Sequence, residues 1–275
     1  MSSVTQGAPR HAFRPLPPGL FGLGRSGRLI ERNMLAFSKA RWVFVSGLAE
    51  PVFYLLSIGI GIGKLVGGIP GPHHALIPYA AYAAPALLAS SAMNGSVIES
   101  TYNVYFKLKY TRVYDAMLSS PMDAVDVARG DILTALGRGS VYAAAFVVMM
   151  AALGDILSWW AVLALPAAIL IGFAFSAVGM AATTYMRGWT DFDFVNLALL
   201  PMFLFSTTFY PLSIYPRWLQ IVVECTPLFH GVALARAFTL GYVGFGVLLH
   251  ALYLAVMGIV GFAVASRRIR TLLLR

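Results

Sequence analysis

An all-α polytopic membrane protein with six transmembrane helices is the fold predicted by three observations. Of the 275 residues, 59% are hydrophobic and 11% charged, more apolar than a soluble domain of this length needs for its core. The apolar residues come in long runs, and about 20 in succession suffice to cross ~30 Å of hydrocarbon as a helix. Finally, the basic residues gather at the ends of those runs. A membrane barrel would show shorter, alternating segments instead. The net charge of +9 forms no single stripe or groove, so it points to membrane topology rather than to nucleic acid.

The runs place spans at Trp42–Leu65, Ile77–Tyr102, Ile132–Gly154, Ile156–Tyr185, Phe192–Tyr210 and Val247–Ser266. Six crossings put both termini on one side, and the Lys/Arg count chooses that side. Seven basic residues precede the first span (Arg10, Arg14, Arg25, Arg28, Arg32, Lys39, Arg41) and four follow the last (Arg267, Arg268, Arg270, Arg275). Lys107, Lys109, Arg112, Arg129 and Arg138 flank or enter the connection after the second span, and Arg187 follows the fourth. Only Lys64, Arg217 and Arg236 fall on the other side, a bias of seventeen to three. Both termini are therefore expected in the cytoplasm, in a bacterial inner membrane.

Residues 1–26 read as a flexible cytoplasmic tail, being rich in Pro, Gly and Arg over their first twenty positions. In 27–41, Ile30, Met34 and Phe37 share one helical face while Arg28, Glu31, Arg32 and Lys39 lie elsewhere. This predicts an interfacial amphipathic helix or, alternatively, a cytoplasmic extension of the first span. Residues 42–266 form the six-helix domain, and 267–275 a second cytoplasmic tail. The first apolar run starts only at Trp42, contains Glu50 and runs on too far for a cleaved signal peptide, so it is expected to stay in the mature protein.

Two segments depart from simple spanning. Between Leu212 and Gly241, Pro216 and Pro227 bracket a short apolar stretch holding Glu224. That stretch is too short to cross, and it suits an outer re-entrant pair of helices or an outer loop packed on the helix ends. Pro211, Trp218, His230 and Arg236 belong to the same segment. The second is the connection Tyr105–Arg129, where Leu108, Val113 and Met117 can face bilayer or bundle while Lys109, Arg112 and Asp115 meet water. Ser120 can cap a returning helix, with Pro121 at its first position and Asp123 and Asp126 near its positive end. The result is a protruding helical knob, which serves either as a solvated connector or as a docking element.

Several motifs carry no chemistry. Gly22, Gly24 and Gly27 spell a dinucleotide fingerprint, but RPLPPGLF before them offers no strand. Gly59, Gly61, Gly63 and Lys64 imitate a phosphate loop inside the first span, with Leu65 where Ser or Thr is needed. Gly59 and Gly63 there suit close helix packing. His73 and His74 lack further ligands at metal spacing. The single cysteine, Cys225, excludes an internal disulfide or a cysteine cluster. No catalytic, cofactor or metal site emerges.

Ionisable groups inside apolar spans are the remaining candidates. Glu50 lies ~12 Å into the first span, at 1.5 Å per residue from Trp42. Arg138 and Asn94 reach similar depth from the same side. A lone carboxylate there is costly, so Glu50 is expected to pair with Arg138, with Asn94 as a hydrogen-bonding neighbour. Glu50 as a proton or substrate site, and Arg138 snorkelling alone to the headgroups, are the alternatives.

The segments EPVFYLLSIGIGIG (50–63), YDAMLSSPMDAVDVARGDIL (114–133) and PMFLFSTTFYPLSIYPRWLQIVVECTPLFHGVALAR (201–236) resemble the ABC-2 family of transport permeases. The resemblance is to the branch of nodulation-factor exporters and daunorubicin-resistance permeases, and it covers nearly the whole chain. It implies an exporter permease that pairs with a second permease copy or paralogue and is powered by two copies of a separate ATP-binding subunit. ATP and its Mg²⁺ would belong to that subunit, with no cofactor on this chain. The family's coupling element would correspond to about Leu108–Ser120, with Leu108, Arg112, Tyr114, Asp115, Met117 and Leu118 as coupling residues. Its outer re-entrant helices would correspond to about Leu212–Gly241. Two other functions remain open. One is a proton-coupled secondary transporter, suggested by Glu50 and Glu99 within spans, although no inverted repeat is visible. The other is a membrane scaffold without transport.

Overall fold

The structure, a computed structural model, describes residues 49, 52–66, 68–70, 76–110 and 124–273. Residues 1–48, Glu50, and the loop residues Arg112, Tyr114, Asp115, Met117 and Leu118 lie outside the described residues. The tail, the interfacial helix and most of the expected coupling element therefore fall there too.

The described residues are mostly helical. Residues 52–56 are helical, a π-turn covers Ser57–Ile62, and a short helix follows (α1, Gly63–Val66). A two-stranded antiparallel ribbon comes next (β1, Gly68–Pro70; β2, Leu76–Pro78), with Ile69 opposite Ile77. This ribbon is a small addition to the expected all-α fold. It arises where Gly68, Pro70 and Pro78 break the helical period and each strand needs a partner for its backbone groups.

The helix α2 (Tyr79–Ile98) continues through a π-turn, Glu99–Asn103, into α3 (Val104–Lys109). The helical run thus passes the expected end at Tyr102. Helix α4 (Ala124–Leu153) likewise begins before the expected Ile132. A 3₁₀ turn (Trp159–Leu163), started by Ser158 accepting from Trp160 N–H, leads into α5 (Ala164–Thr183). The expected fifth span is shorter than forecast: α6 (Asp191–Phe205) ends before an irregular stretch, 206–210. Helices α7 (Arg217–Glu224) and α8 (Pro227–Leu240) bend by 83° across Cys225 and Thr226. The last helix, α9 (Phe245–Leu273), absorbs residues 267–273, which the sequence reading assigned to a tail.

Among the described residues, three stretches are long and apolar enough to cross a membrane: Ala128–Leu153, Trp159–Thr183 and Phe245–Leu272. The bent α7–α8 pair passes the same test only when taken together. Helix α2 has the length of a span but carries Ser90, Ser91, Asn94, Gly95 and Ser96. Its position explains that composition. Most of α2 is buried among other helices, and a helix shielded from lipid can carry small polar residues that let neighbours approach.

Helix α5 is the hub. It packs on α2, α4, α8 and α9, most extensively on α9. The three largest apolar clusters among the described residues hold Leu87, Leu88, Phe146 and Met150 toward the Tyr79 end, Met93, Ile171, Leu228 and Leu254 in the middle, and Val104, Ile132, Met180 and Ile269 toward the Lys107 end. Small residues set the spacing, since a Cβ on Gly179 would strike Ser100 Oγ. At the opposite end Gly241 closes α8 at φ 86°, a left-handed C-cap that glycine adopts without strain.

Candidate functional site

At the Lys107 end, two ion pairs join the antiparallel α2–α3 run to α4. Lys107 Nζ lies 2.7 Å from Asp131 Oδ1, with Asp131 almost wholly buried. Glu99 pairs with Arg138, both side chains largely buried. Lys107 lies in α3 and Asp131 seven residues into α4, on either side of the connection that holds the expected coupling element. The carboxylate of Glu99 opens the π-turn, a distortion common at functional sites. Between the pairs lies a void of about 10 Å³ lined by Asn103, Thr134 and Ser176 among others. Neighbouring Thr hydroxyls are turned back onto their own helices, Thr134 Oγ1 on Gly130 O at 2.7 Å and Thr101 Oγ1 on Val97 O at 2.6 Å, while the buried Ser176 Oγ makes no hydrogen bond. Polar side chains that close hydrogen bonds within a helix can be buried without cost to neighbouring helices.

An aromatic cluster continues this end outward. Tyr105, Phe106 and Tyr110 from the end of the α2–α3 run meet Trp189 and Phe192, with Trp189 Nε1 donating to Tyr110 Oη at 2.7 Å. The turn before α6 is fastened by Asp191, whose carboxylate accepts from the backbone N–H of Arg187 at 2.6 Å and of Gly188 at 3.3 Å. These donors, Arg187 first, hold the Asp191 carboxyl below its usual range. A depressed carboxyl favours the folded turn at neutral pH, and that contribution disappears as pH falls through its lowered value.

At the Tyr79 end, the break after α6 is held by side chains from other helices. Thr207 takes a left-handed φ of 59°, strained for a β-branched residue. Its carbonyl accepts from Arg236 Nη2 at 2.9 Å and Tyr82 Oη at 3.4 Å, while Tyr79 Oη donates to Phe209 O at 3.3 Å. Arg236 also donates Nε and Nη2 to Tyr82 O, each at 3.3 Å, and stacks its guanidinium 3.8 Å from the Tyr82 ring. Nearby, His230 Nδ1 faces His250 Nδ1 at 2.7 Å, so one ring donates and the other accepts. Tyr253 stacks on His230.

Several residues singled out from the sequence find defined places. Arg138 meets Glu99, while its expected partner Glu50 lies outside the described residues. Asn94 is half-buried on α2, more than a turn from Glu99. Leu108 packs against the cluster at the Lys107 end. In the segment expected to be re-entrant, Pro211 precedes a 3₁₀ turn, Pro216 precedes α7, and Pro227 opens α8. Trp218 is exposed, Glu224 ends α7, and His230 and Arg236 lie on α8. The bend of 83° fits the helical pair read from the two prolines. Sequence reasoning used Lys107 only for topology and missed Asp131, Thr207 and His250. For Asp131 a signal existed: it is an acidic residue at the start of the apolar run after the connection, with Lys107 on the connection's other side.

Residues 27–240 match the profile described as ABC-2 type transporter. The chain belongs to the ABC-2 type transporter family. Relatives named Nodulation protein J extend the similarity beyond the matched residues. The one from Rhizobium leguminosarum bv. viciae is 31% identical over 248 residues, covering 89% of this chain and 93% of the relative. The protein of Sinorhizobium fredii (strain NBRC 101917 / NGR234) is 32% identical over 235 residues, 84% and 87% of the two chains. In Neorhizobium galegae the figures are 28% over 268 residues, 94% and 98%. This is the branch that the sequence segments resembled. The ABC-2 permease is thus a multi-pass bacterial membrane protein, a transporter component and not an enzyme by itself.

Proposed function

We propose that this ABC-2 permease is the membrane half of an ATP-driven exporter that moves an amphipathic drug, lipid or glycolipid-like substrate outward. The observation carrying this reading is the family match over residues 27–240, supported by the relatives named Nodulation protein J. ATP and Mg²⁺ bind a separate subunit, present in two copies, and a second permease copy or paralogue completes the pathway among membrane lipids. Residues 108–120 receive the force of ATP hydrolysis, and the α7–α8 pair lies on the outer side. The Glu99 carboxylate is committed to Arg138, which counts against Glu99 as a free proton carrier.

Copurification with an ATPase whose turnover changes in the presence of the permease tests this reading. Asp115→Lys is expected to weaken that complex or its stimulated hydrolysis at least severalfold while membrane insertion stays intact. A normal complex and normal transport in Asp115→Lys, Tyr114→Ala and Met117→Ala would reduce residues 108–120 to a connector. Transport that ignores ATP and collapses with the proton gradient would support a secondary transporter instead.

Topology gives an independent expectation. Tags after Arg275 and within Lys107–Arg112 should report cytoplasm, and tags near His73 and Arg217 the outside. A cytoplasmic Arg217 tag overturns the six-span arrangement.

A further inference from the structure

The two ion pairs between the α2–α3 run and α4 have opposite polarity. At the outer rung of the connection the cation, Lys107, is on the α2–α3 side and the anion, Asp131, on α4. At the inner rung the order reverses, with Glu99 on the α2–α3 side and Arg138 on α4. The rungs are separated by eight residues on one helix run and seven on the other, about 10–12 Å at 1.5 Å per residue. If the α2–α3 run slid inward by that distance, Lys107 would come level with Arg138. Sliding the other way would bring Glu99 level with Asp131. Either shift abandons both attractions and sets like charges together in a poorly solvated site. Two rungs of equal polarity would behave differently, because a slipped arrangement would regain one attractive pair.

Close packing contributes to this register, as at Gly179 against Ser100, and the buried charges add to it. The buried surface of α2 mixes small residues, Ala81, Ala83, Ala84, Ala86 and Ala89, with the larger Tyr82, Leu87, Leu88 and Met93, and the small ones let neighbouring helices approach closely. Polar groups at single positions are a known way to fix helix register.

We propose that Lys107–Asp131 and Glu99–Arg138 form a charge-coded register lock. It holds α3 and the first turns of α4 together, so that the two helices on either side of residues 111–123 move as one. Lys107 and Asp131 are positioning residues in this scheme. The link to ATP-driven movement rests on residues 108–120 being the coupling element, whereas the lock itself can be tested without a partner.

The experiment is disulfide crosslinking of the full chain in membranes, in a Cys225→Ser background. Asn103→Cys with Thr134→Cys reports the native register, since both residues line the void between the rungs. Asn103→Cys with Val141→Cys reports a slip of seven residues. The native chain should form only the first product. Lys107→Asp should lower it severalfold and bring up the second, and adding Asp131→Lys should restore the first. If Lys107→Asp does not accumulate, Lys107→Gln removes the attraction without repulsion and should at least halve the native product. Unchanged native yield in these variants, or no recovery in the exchange, overturns the lock. Crosslinks that shift as expected while stimulated ATP hydrolysis stays normal would uphold the lock and remove the coupling role of the loop.

Discussion

Arg236→Glu is expected to reduce folded, membrane-inserted protein to a small fraction of the native amount. The reason lies in the break after α6. Within a membrane, backbone that leaves the helix must find its hydrogen bonds inside the protein. Residues 206–210 leave the helix, and Ser206, Thr207 and Thr208 are all buried. Arg236 supplies a donor to the Thr207 carbonyl and two to the Tyr82 carbonyl, while the Tyr82 ring face attracts its charge. A carboxylate in that place would face two carbonyl oxygens and the negative face of the ring. Arg236→Met would instead orphan part of this acceptor set, at about 1–3 kcal/mol for each buried group left unsatisfied. Arg236→Lys keeps the charge without the planar fork. The expected order of folded protein is therefore native, Lys, Met, Glu, measured as the monodisperse fraction after detergent extraction. Equal recovery of the Met and native proteins would show that Tyr79 and Tyr82 hold the break without Arg236.

Gly261→Leu is expected to remove most of the folded bundle, and Gly261→Ala to lower its thermal stability clearly. A Cβ on Gly261 would lie 2.9 Å from Ala177 C and 2.9 Å from Val178 N. Both are backbone atoms of α5, so no rotamer change relieves the contact and the two helices must separate. Overpacking of this kind costs about 1–3 kcal/mol even for small additions. The effect is amplified because α5 against α9 is the most extensive helix contact in the bundle, and helices in lipid associate through close packing rather than hydrophobic exclusion. Gly246→Ala serves as the control, since a Cβ there meets nothing within 4 Å. A melting curve for Gly261→Ala that overlays the native one would disprove this close approach.

Arg138 separates what local reading can reach from what it cannot. Its depth in an apolar run predicted a buried partner, because a lone charge in hydrocarbon is too costly. Glu99 could be seen as another ionisable group in a span, but depth alone does not say which helix faces meet. The π-turn at Glu99–Asn103 advances the helix phase there, and no periodicity argument anticipates such a turn. The same holds for α6. Its apolar run continues to Tyr210, yet the helix stops at Phe205 because tyrosines and an arginine from distant helices can satisfy the freed carbonyls.

By itself, the sequence determined the membrane class, the family resemblance and the prolines that break the segment around Pro216 and Pro227. These follow from composition, run length and local backbone chemistry, all of which are read within a few tens of residues. Tertiary structure alone decided that Lys107 meets Asp131, that Glu99 meets Arg138, and that Arg236 closes on Thr207 and Tyr82. Those contacts join residues 24 to 154 positions apart. They depend on the rotation and register of each helix against its neighbours, which small-residue packing and buried charge establish only after the bundle has assembled.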